Sequence, residues 1–384
     1  MFVKKLFHFL VILWISTVVV SCDKPGMPYP DGIMGDGSIE ALVLNEGLIN
    51  TNAGAISVIY KDGGVVVDAF QDVNHRPMGD VAQSVTLING KYFVAMNNSK
   101  KVEILDPVTF RSLGTILYKQ AGYPRQIVPV SPTEAVVSDL RNQLVRIRTV
   151  EPYGEPLEYI SVPAWIEYLI GAENKIFGMT SRGLLVFDAN RIVKEEARLL
   201  RDVYNEEYTK TCRMLKDKHG KLWALMNRKQ GGKVVGIVLA CIDPLRERVV
   251  KKYELPLGEE LPEGTVGALG YINYNRTDID PTGTWIYFNA ATRSEVPNSQ
   301  GAYEQQSVFR LNVDTGMFER YRDLPGVGMM YGFAVGPTGD VYLCDCLDYT
   351  AQRGYVRCYR EDGRVDSYRV GVYPSQVYFP GYEY

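Results

Sequence analysis

A strand–turn–strand unit recurs along the chain and constrains the fold more than any other sequence feature. Short apolar runs that resemble strands begin near residues 83, 124, 165, 213, 269, 332 and 375. Most are followed by a polar turn, such as INGK, SPTE or GPTGD, and then by a second apolar strand. A third strand ends in a turn residue and a fourth strand follows it. The chain is therefore built from repeats of one four-stranded unit.

Alternating apolar residues indicate that each unit is a small sheet. In KVEIL (101–105) and SVFRLNV (307–313), apolar residues recur largely at every second position, as they do in strands. A single four-stranded unit cannot bury both of its faces, so the units must stack into a closed ring. The sequence predicts an all-β, seven-bladed β-propeller with four antiparallel strands in each blade.

The two ends of the chain predict how the ring closes. The first unit, residues 41–72, has three strand-like runs, ALVLNEG, AISVIYK and VVVDAFQ, but no innermost strand. The chain ends with YPSQVYF (373–379), which matches the innermost-strand pattern YPRQIVPV at 123–130. We expect the C-terminal strand to complete blade 1, because this arrangement leaves no open strand edge.

One segment departs from the strand pattern. The stretch NRIVKEEARLLRDVYNEEYTK, residues 190–210, carries apolar residues at helical spacing. We predict a short helical insertion in blade 4.

The N-terminal segment predicts export and a lipid anchor. Two lysines, the apolar run LFHFLVILWISTVVVS and then Cys22 describe a lipoprotein signal peptide over residues 1–21. The segment VVSC resembles a bacterial lipobox, in which the cysteine is acylated; the alternative is a plain signal peptide. Residues 22–40 are interpreted as a flexible tether and residues 41–384 as a single propeller domain.

Charge and cysteine content exclude several classes of protein. The net charge of −3 falls to about −5 without residues 1–21, which hold two lysines and no acid, and this argues against a nucleic-acid partner. Five cysteines besides Cys22 are an odd number and no disulfide framework. Cys344, Cys346 and Cys358 form either one cross-strand bridge or a set of buried thiols. No metal site is expected, since the two histidines after the signal lie far from these cysteines.

Several motifs resemble a known family of propellers. They are NEG at 45–47 followed by GAISVIY, NGKYFVAMNNSKKVEILDPVTF at 89–110, YPRQI at 123–127 and HGKLWAL at 219–225. They resemble YncE/YVTN-type propellers and, more closely, the propeller lipoproteins of Bacteroidetes. The resemblance covers residues 41–379. It implies a surface lipoprotein similar to the BtuG type, which captures vitamin B12 and passes it to a TonB-dependent outer-membrane transporter.

The repeat also predicts where a ligand would bind. In a propeller, the loops from strand two to three and from strand four to the next strand one share one face, here called the upper face. Its side chains are rich in Arg, Asn, Trp and Tyr, which suits a polar organic ligand. The candidate residues are Glu46, Asn98, Arg125, Arg141, Trp165, Arg182, Arg213, Arg228, Tyr331 and Asp345. Alternatively, the Asn, Asp and Ser side chains there only satisfy backbone groups of turns.

Motifs of common catalytic sites are absent from the sequence. It contains no GxSxG elbow, HExxH pair, P-loop or GxGxxG opening a helix. We expect a non-catalytic, cofactor-free lipoprotein of the outer membrane, at the cell surface or on the periplasmic side. It would bind a small polar nutrient, such as a corrinoid, and hand it to a TonB-dependent transporter. The alternatives are a protein-interaction, adhesion or glycan-binding scaffold and, less favoured, a propeller hydrolase or lactonase.

Overall fold

A computed structural model describes residues 39–120, 122–210, 213–261, 265–267, 277–293, 304–348 and 350–382. These residues form seven antiparallel sheets, and the sheets are the blades of a β-propeller. The predicted fold class is therefore confirmed. No helix in these ranges is both long and apolar enough to cross a membrane.

The first four blades follow the predicted repeat. Blade 1 contains, from the inside outwards, β30 (Pro374–Tyr378), β1 (Ile39–Asn45), β2 (Ala55–Tyr60) and β3 (Val65–Val66). Blade 2 contains β4 (Ala82–Ile88), β5 (Lys91–Met96), β6 (Lys101–Leu105) and β7 (Ser112–Leu117). Blade 3 contains β8 (Pro124–Ser131), β9 (Glu134–Asp139), β10 (Gln143–Arg148) and β11 (Glu158–Ser161). Blade 4 contains β12 (Tyr168–Ala172), β13 (Lys175–Thr180), β14 (Gly183–Asp188) and β15 (Arg198–Leu200).

In blades 5 and 6, the structure describes the inner strand as two short pieces, and the two middle strands are longer than in the other blades. Blade 5 contains β16 (Tyr208–Lys210), β17 (Leu215–Lys216), β18 (Leu222–Gln230), β19 (Lys233–Asp243) and β20 (Arg248–Pro256). Blade 6 contains β21 (Thr265–Gly267), β22 (Thr277–Ile279), β23 (Trp285–Arg293), β24 (Glu304–Asn312) and β25 (Phe318–Asp323). Blade 7 contains β26 (Met330–Val335), β27 (Val341–Asp345), β28 (Arg353–Tyr359) and β29 (Val365–Val372). The predicted run near Leu269 lies outside the described residues.

The C-terminal strand closes the ring as predicted. Strand β30 pairs antiparallel with β1, with Leu42 opposite Tyr378 and Val43 opposite Val377. The last strand of the chain is thus the innermost strand of the first blade.

In the described part of the chain, an apolar cluster lies at each of the seven junctions between neighbouring blades. A smaller cluster around Tyr331, Cys346 and Tyr373 adds to the junction of blades 7 and 1. Strand β1 shows how one strand contributes to two clusters, because successive side chains of a strand point to opposite faces. Leu42 and Leu44 pack against blade 2, whereas Val43 packs against blade 7 together with Phe379. Each blade therefore buries both faces, and removing apolar surface from water stabilises the whole ring.

The predicted helix in residues 190–210 is wrong. The segment holds only a 3₁₀ turn, Lys194–Glu196, and the strands β15 and β16. Leu199 packs toward blade 3 and Leu200 toward blade 5. An outer strand that is partly buried on both faces carries apolar residues at successive positions, and this pattern resembles helical spacing.

A short α-helix, α1 (Ala69–Asn74), lies where the sequence predicted the end of a strand in VVVDAFQ. The Asp68 side chain accepts a 3.0 Å hydrogen bond from the Gln71 backbone N–H and so caps the helix N-terminus. Strand β3 is consequently only two residues long.

The described cysteines are free thiols. Cys241, Cys344, Cys346 and Cys358 are all buried, and none of the four is bridged. Of the two alternatives left open by the sequence, the structure favours buried small side chains.

Candidate functional site

The upper face surrounds one mouth of the central channel, and the NEG motif shapes its edge in blade 1. The Asn45 amide donates a 2.9 Å hydrogen bond to the Ser57 hydroxyl, and the Glu46 backbone N–H donates to the Tyr373 carbonyl at 2.8 Å. Gly47 has φ of 77°, and a Cβ there would lie 2.5 Å from the Ala53 carbonyl carbon. The motif therefore needs glycine at its third position, and the tight turn holds Glu46 against blade 7.

Three predicted site residues meet in the interior of the ring. The Tyr331 hydroxyl donates a 2.6 Å hydrogen bond to Glu46 Oε2. Arg125, from blade 3, interacts electrostatically with both Glu46 and Tyr331. Arg125 is 4% exposed and Glu46 is 9% exposed. The structure thus joins an acid, a base and a phenol from blades 1, 3 and 7.

Burial dominates the electrostatics of this cluster. It raises the pKa of the Glu46 carboxyl above its ordinary value, while the Tyr331 hydrogen bond and the Arg125 charge act in the opposite direction. Burial also lowers the pKa of Arg125 to about 10, against the opposing influence of Glu46 and Tyr331. Each charge is disfavoured by desolvation and supported by its partners. Polar ligand groups that reach the cluster would meet both a donor and an acceptor.

Three more predicted residues form an exposed rim on blades 3 and 4. Trp165 is 43% exposed and lies in the link before β12. A backbone hydrogen bond holds each end of this link. The Val162 N–H donates to the Asn142 carbonyl at 3.0 Å, and the Glu167 N–H donates to the Met179 carbonyl at 2.9 Å. The exposed Arg141 and Arg182 belong to the two turns that flank it. The backbone therefore places an indole between two guanidinium-bearing turns.

The turn of Arg141 is fixed by a buried aspartate. Asp139 accepts hydrogen bonds from the backbone N–H groups of Tyr123 and Arg141, both at 2.8 Å. The Arg141 guanidinium lies 5.9 Å from the centroid of the Tyr123 ring, and Lys100 Nζ lies 5.8 Å from the same centroid. The rim thus combines positive charge with aromatic surface.

The remaining predicted residues make structural contacts. Arg213 donates to Asp278 and, at 3.2 Å, to the Thr277 carbonyl. Asp278 is fully buried and also accepts from the Val335 N–H at 2.8 Å, so this pair joins blades 5, 6 and 7. Sequence reasoning missed Asp278, because its run lacks a distinctive motif.

Arg228, Asp345 and Asn98 also have internal partners. Arg228 Nε lies 3.6 Å from Glu254 Oε2 within blade 5. Asp345 is fully buried and accepts from Arg357 Nε and the Met329 N–H, both at 2.9 Å. The Asn98 amide donates to Asp80 Oδ2 at 2.5 Å. These contacts explain why polar residues occupy the turns, and a ligand-binding role for them stays a prediction.

No candidate metal centre is found within the described ranges. No group of three or more His, Cys, Asp and Glu side chains there is placed to hold a metal ion.

Similar solved structures share the fold at low sequence identity. The periplasmic gluconolactonase PpgL of Pseudomonas aeruginosa is 12% identical, with a TM-score of 0.61 over 89% of this chain and 99% of that chain. A provisional 6-phosphogluconolactonase of Bacteroides fragilis is 10% identical, with a TM-score of 0.59 over 89% and 98%. A Lactobacillus plantarum protein is 11% identical, with a TM-score of 0.56 over 89% and 99%. These similarities concern the fold alone.

Comparison of the sequence with protein families gives a more specific result. No curated protein matches the chain. One family model matches residues 40–269, more than half of the chain, and it is described as a domain of unknown function, DUF5074. The chain therefore belongs to the DUF5074 family.

Proposed function

We propose that the protein is a lipid-anchored, non-catalytic binding protein of the bacterial cell envelope. It captures a small polar organic ligand at the upper mouth and hands it to a TonB-dependent outer-membrane transporter. One observation carries the proposal: exposed Trp165 lies between the turns of Arg141 and Arg182, on the face that also holds the Glu46–Arg125–Tyr331 cluster.

The chemistry of these groups defines the ligand class. An indole offers a flat apolar face for ring systems, and guanidinium groups bind carboxylate or phosphate with two parallel hydrogen bonds. Ligand sites commonly combine such apolar walls with a few convergent polar groups. The favoured ligand therefore carries a ring system and acidic or amide substituents, as corrinoids do.

The direction of β1 indicates the side of the ring from which the proposed tether would extend. Strand β1 runs from Ile39 on the lower face to Asn45 on the upper face, so the tether to Cys22 would leave from the lower face. At ~3.3 Å per residue, the segment 22–38 reaches about 56 Å when extended. Such a tether lets the upper face point outwards for capture or turn toward a transporter.

The test is isothermal titration of the mature chain with cyanocobalamin, haemin and a neutral oligosaccharide. We expect one of the ring-bearing ligands to bind saturably. Trp165→Ala and Arg182→Ala should each weaken that binding about tenfold, equivalent to about 1.4 kcal/mol. Leu245→Ala and Arg191→Ala, matched exposed positions on the lower face, should leave it unchanged. Absence of binding by the folded protein, or equal effects of all four variants, would contradict the proposal.

Two alternatives are separated by different assays. A protein-interaction, adhesion or glycan-binding scaffold predicts capture of an envelope component by the chain without any small-molecule binding. A lactonase predicts opening of glucono-1,5-lactone, tested with and without added divalent cations. We favour binding because the neighbours named as lactonases share only the fold.

A further inference from the structure

A large groove lies on the lower face, opposite the proposed ligand mouth. Its volume is about 1510 Å³. It runs from the outer turn of blade 7, at Arg364, across residues 39–40 and 379–382 in blade 1 to the outer turn of blade 2, at Val108. We call it the closure groove. Its volume exceeds the roughly 300–1,000 Å³ typical of small-molecule sites, so its size suits a longer ligand.

Ring closure explains why the groove is there. In other blades, a covalent turn joins the first and second strands on the lower face, as Asn89 and Gly90 do in blade 2. Blade 1 has no such turn, because its first strand is β30 and its second is β1. Residues 379–382 and Ile39 line the groove instead.

The groove has unusually exposed apolar walls. Twelve large apolar side chains are exposed in the described ranges, and four of them line this groove: Leu87 at 41%, Val108 at 42%, Val365 at 48% and Tyr382 at 39%. Because three of these four are aliphatic, the walls favour aliphatic side chains over the flat faces of sugars. Such a concentration of exposed apolar surface is typical of interaction sites.

The groove also carries an excess of negative charge. Its lining includes six carboxylates and three cations, namely Glu40, Asp62, Asp340, Glu361, Asp362, Asp366, Lys61, Arg360 and Arg364. Arg360 anchors three of the acids, with Glu40 and Asp366 at 2.7 Å and Asp340 at 3.3 Å. Even with these contacts, three negative charges remain uncompensated among the lining residues. A positively charged partner therefore complements the groove.

We propose that the closure groove binds an extended basic segment of a partner protein. Lysine or arginine side chains of the segment meet the carboxylates, while its aliphatic side chains pack on Leu87, Val108 and Val365. The site lies on the face from which the proposed tether leaves, so an anchored protein could engage an envelope partner there. The upper mouth takes no part in this interaction, and the two sites can be tested separately.

The experiment uses the mature chain and a fluorescent peptide in which lysine alternates with leucine, followed by fluorescence anisotropy. We expect saturable binding that weakens as salt is raised, and no binding of the same peptide with glutamate in place of lysine. Glu361→Lys and Val108→Ser should weaken binding about three- to tenfold. Glu259→Lys and Val250→Ser make the same changes at exposed positions outside the groove and should not. Hydrogen exchange should slow at residues 360–368 and 379–382.

Several results would overturn the proposal. These are equal binding of the lysine and glutamate peptides, or equal effects of the groove and control variants. Displacement of the lysine peptide by a linear oligosaccharide would instead assign the groove to a glycan. Displacement by a synthetic peptide of residues 23–38 would assign it to the protein's own tether.

Discussion

At the scale of single residues, the Glu46–Arg125 pair is the most consequential feature of the upper mouth. The two charges come from blades 1 and 3 and are both buried. Removing one partner of a buried pair leaves the other charge without compensation, which costs about 3–5 kcal/mol. Removing both charges avoids that cost.

We therefore predict that Arg125→Ala destabilises the protein by about 3 kcal/mol or more. The double variant with Glu46→Gln should lose clearly less than the sum of the two single variants. Urea unfolding of all three proteins measures this coupling, and exposed Arg191→Ala should stay within about 0.5 kcal/mol of the unmodified protein. Strictly additive losses would show that the pair is not coupled.

A second residue prediction concerns the cap of α1. Burial raises the pKa of Asp68 from 3.8 to about 6, so the folded protein binds this proton more tightly than the unfolded chain does. The free energy of unfolding contributed by this group then falls as pH rises from about 4 to 6. Asp68→Asn keeps an N-cap side chain and removes this fall. The variant should be more stable by about 1–2 kcal/mol above pH 6, after allowance for solvent screening.

Urea unfolding between pH 4 and pH 8 measures the effect. Asp202→Asn, at an exposed position far from the helix, is the control and should keep the unmodified profile. If the free energy of unfolding of Asp68→Asn changed with pH just as that of the unmodified protein does, the assigned role of the carboxyl would be contradicted.

The sequence predicted which residues lie at the site better than it predicted which side chains contact each other there. Glu46, Arg125 and Tyr331 could be found because the repeat places them in the turns and inner-strand starts of the upper face. Their meeting could not be predicted, since the repeat fixes height within a blade and not which side chains reach across the ring. Arg213 illustrates the same limit, because its partner Asp278 belongs to the next blade.

At the scale of elements, strands with clear turns were predictable and outer strands were not. In blade 4, β15 is half-buried and contacts both neighbouring blades, so its two leucines occupy successive positions and the alternation of apolar and polar residues is lost. Helix α1 was not predicted because its buried residues, Ala69 and Phe70, follow the valine run 65–67 after a single aspartate and so extend a strand-like pattern. Its start was nevertheless marked by Asp68, a typical N-cap residue.

An element-scale prediction concerns the thiols of blades 5 and 7. Burial raises the pKa of Cys241 to about 11 and of Cys358 to about 12, and it also raises the pKa of Cys344 and Cys346. Buried thiols that stay protonated react slowly. Iodoacetamide at pH 8 should leave all four unmodified in the folded protein and alkylate all four in urea, as read by mass spectrometry. A disulfide-linked peptide spanning β27 and β28 would contradict the free-thiol arrangement.

At the scale of the whole molecule, closure of the ring by β30 shapes both faces of the propeller. The hydrogen bond from Tyr331 to Glu46 crosses from blade 7 to blade 1 at the upper mouth. The closure groove occupies the same junction on the lower face. This closure was predictable because the first unit lacks an inner strand and the last residues repeat the YPRQ pattern as YPSQ. The closure groove was not predictable from the sequence, since it results from the missing turn between the first and second strands of blade 1 and from side chains of three blades.

Thermal unfolding of a chain that lacks residues 373–384 tests the central claim most directly. The deletion removes β30, exposes the edge of β1 and removes Val377 and Phe379 from the junction with blade 7. A control chain that lacks only residues 382–384 keeps β30. We predict that the control matches the full chain, while the longer deletion lowers Tm by at least about 10 °C or prevents folding. An unchanged Tm after the longer deletion would contradict closure of the ring by the C-terminal strand.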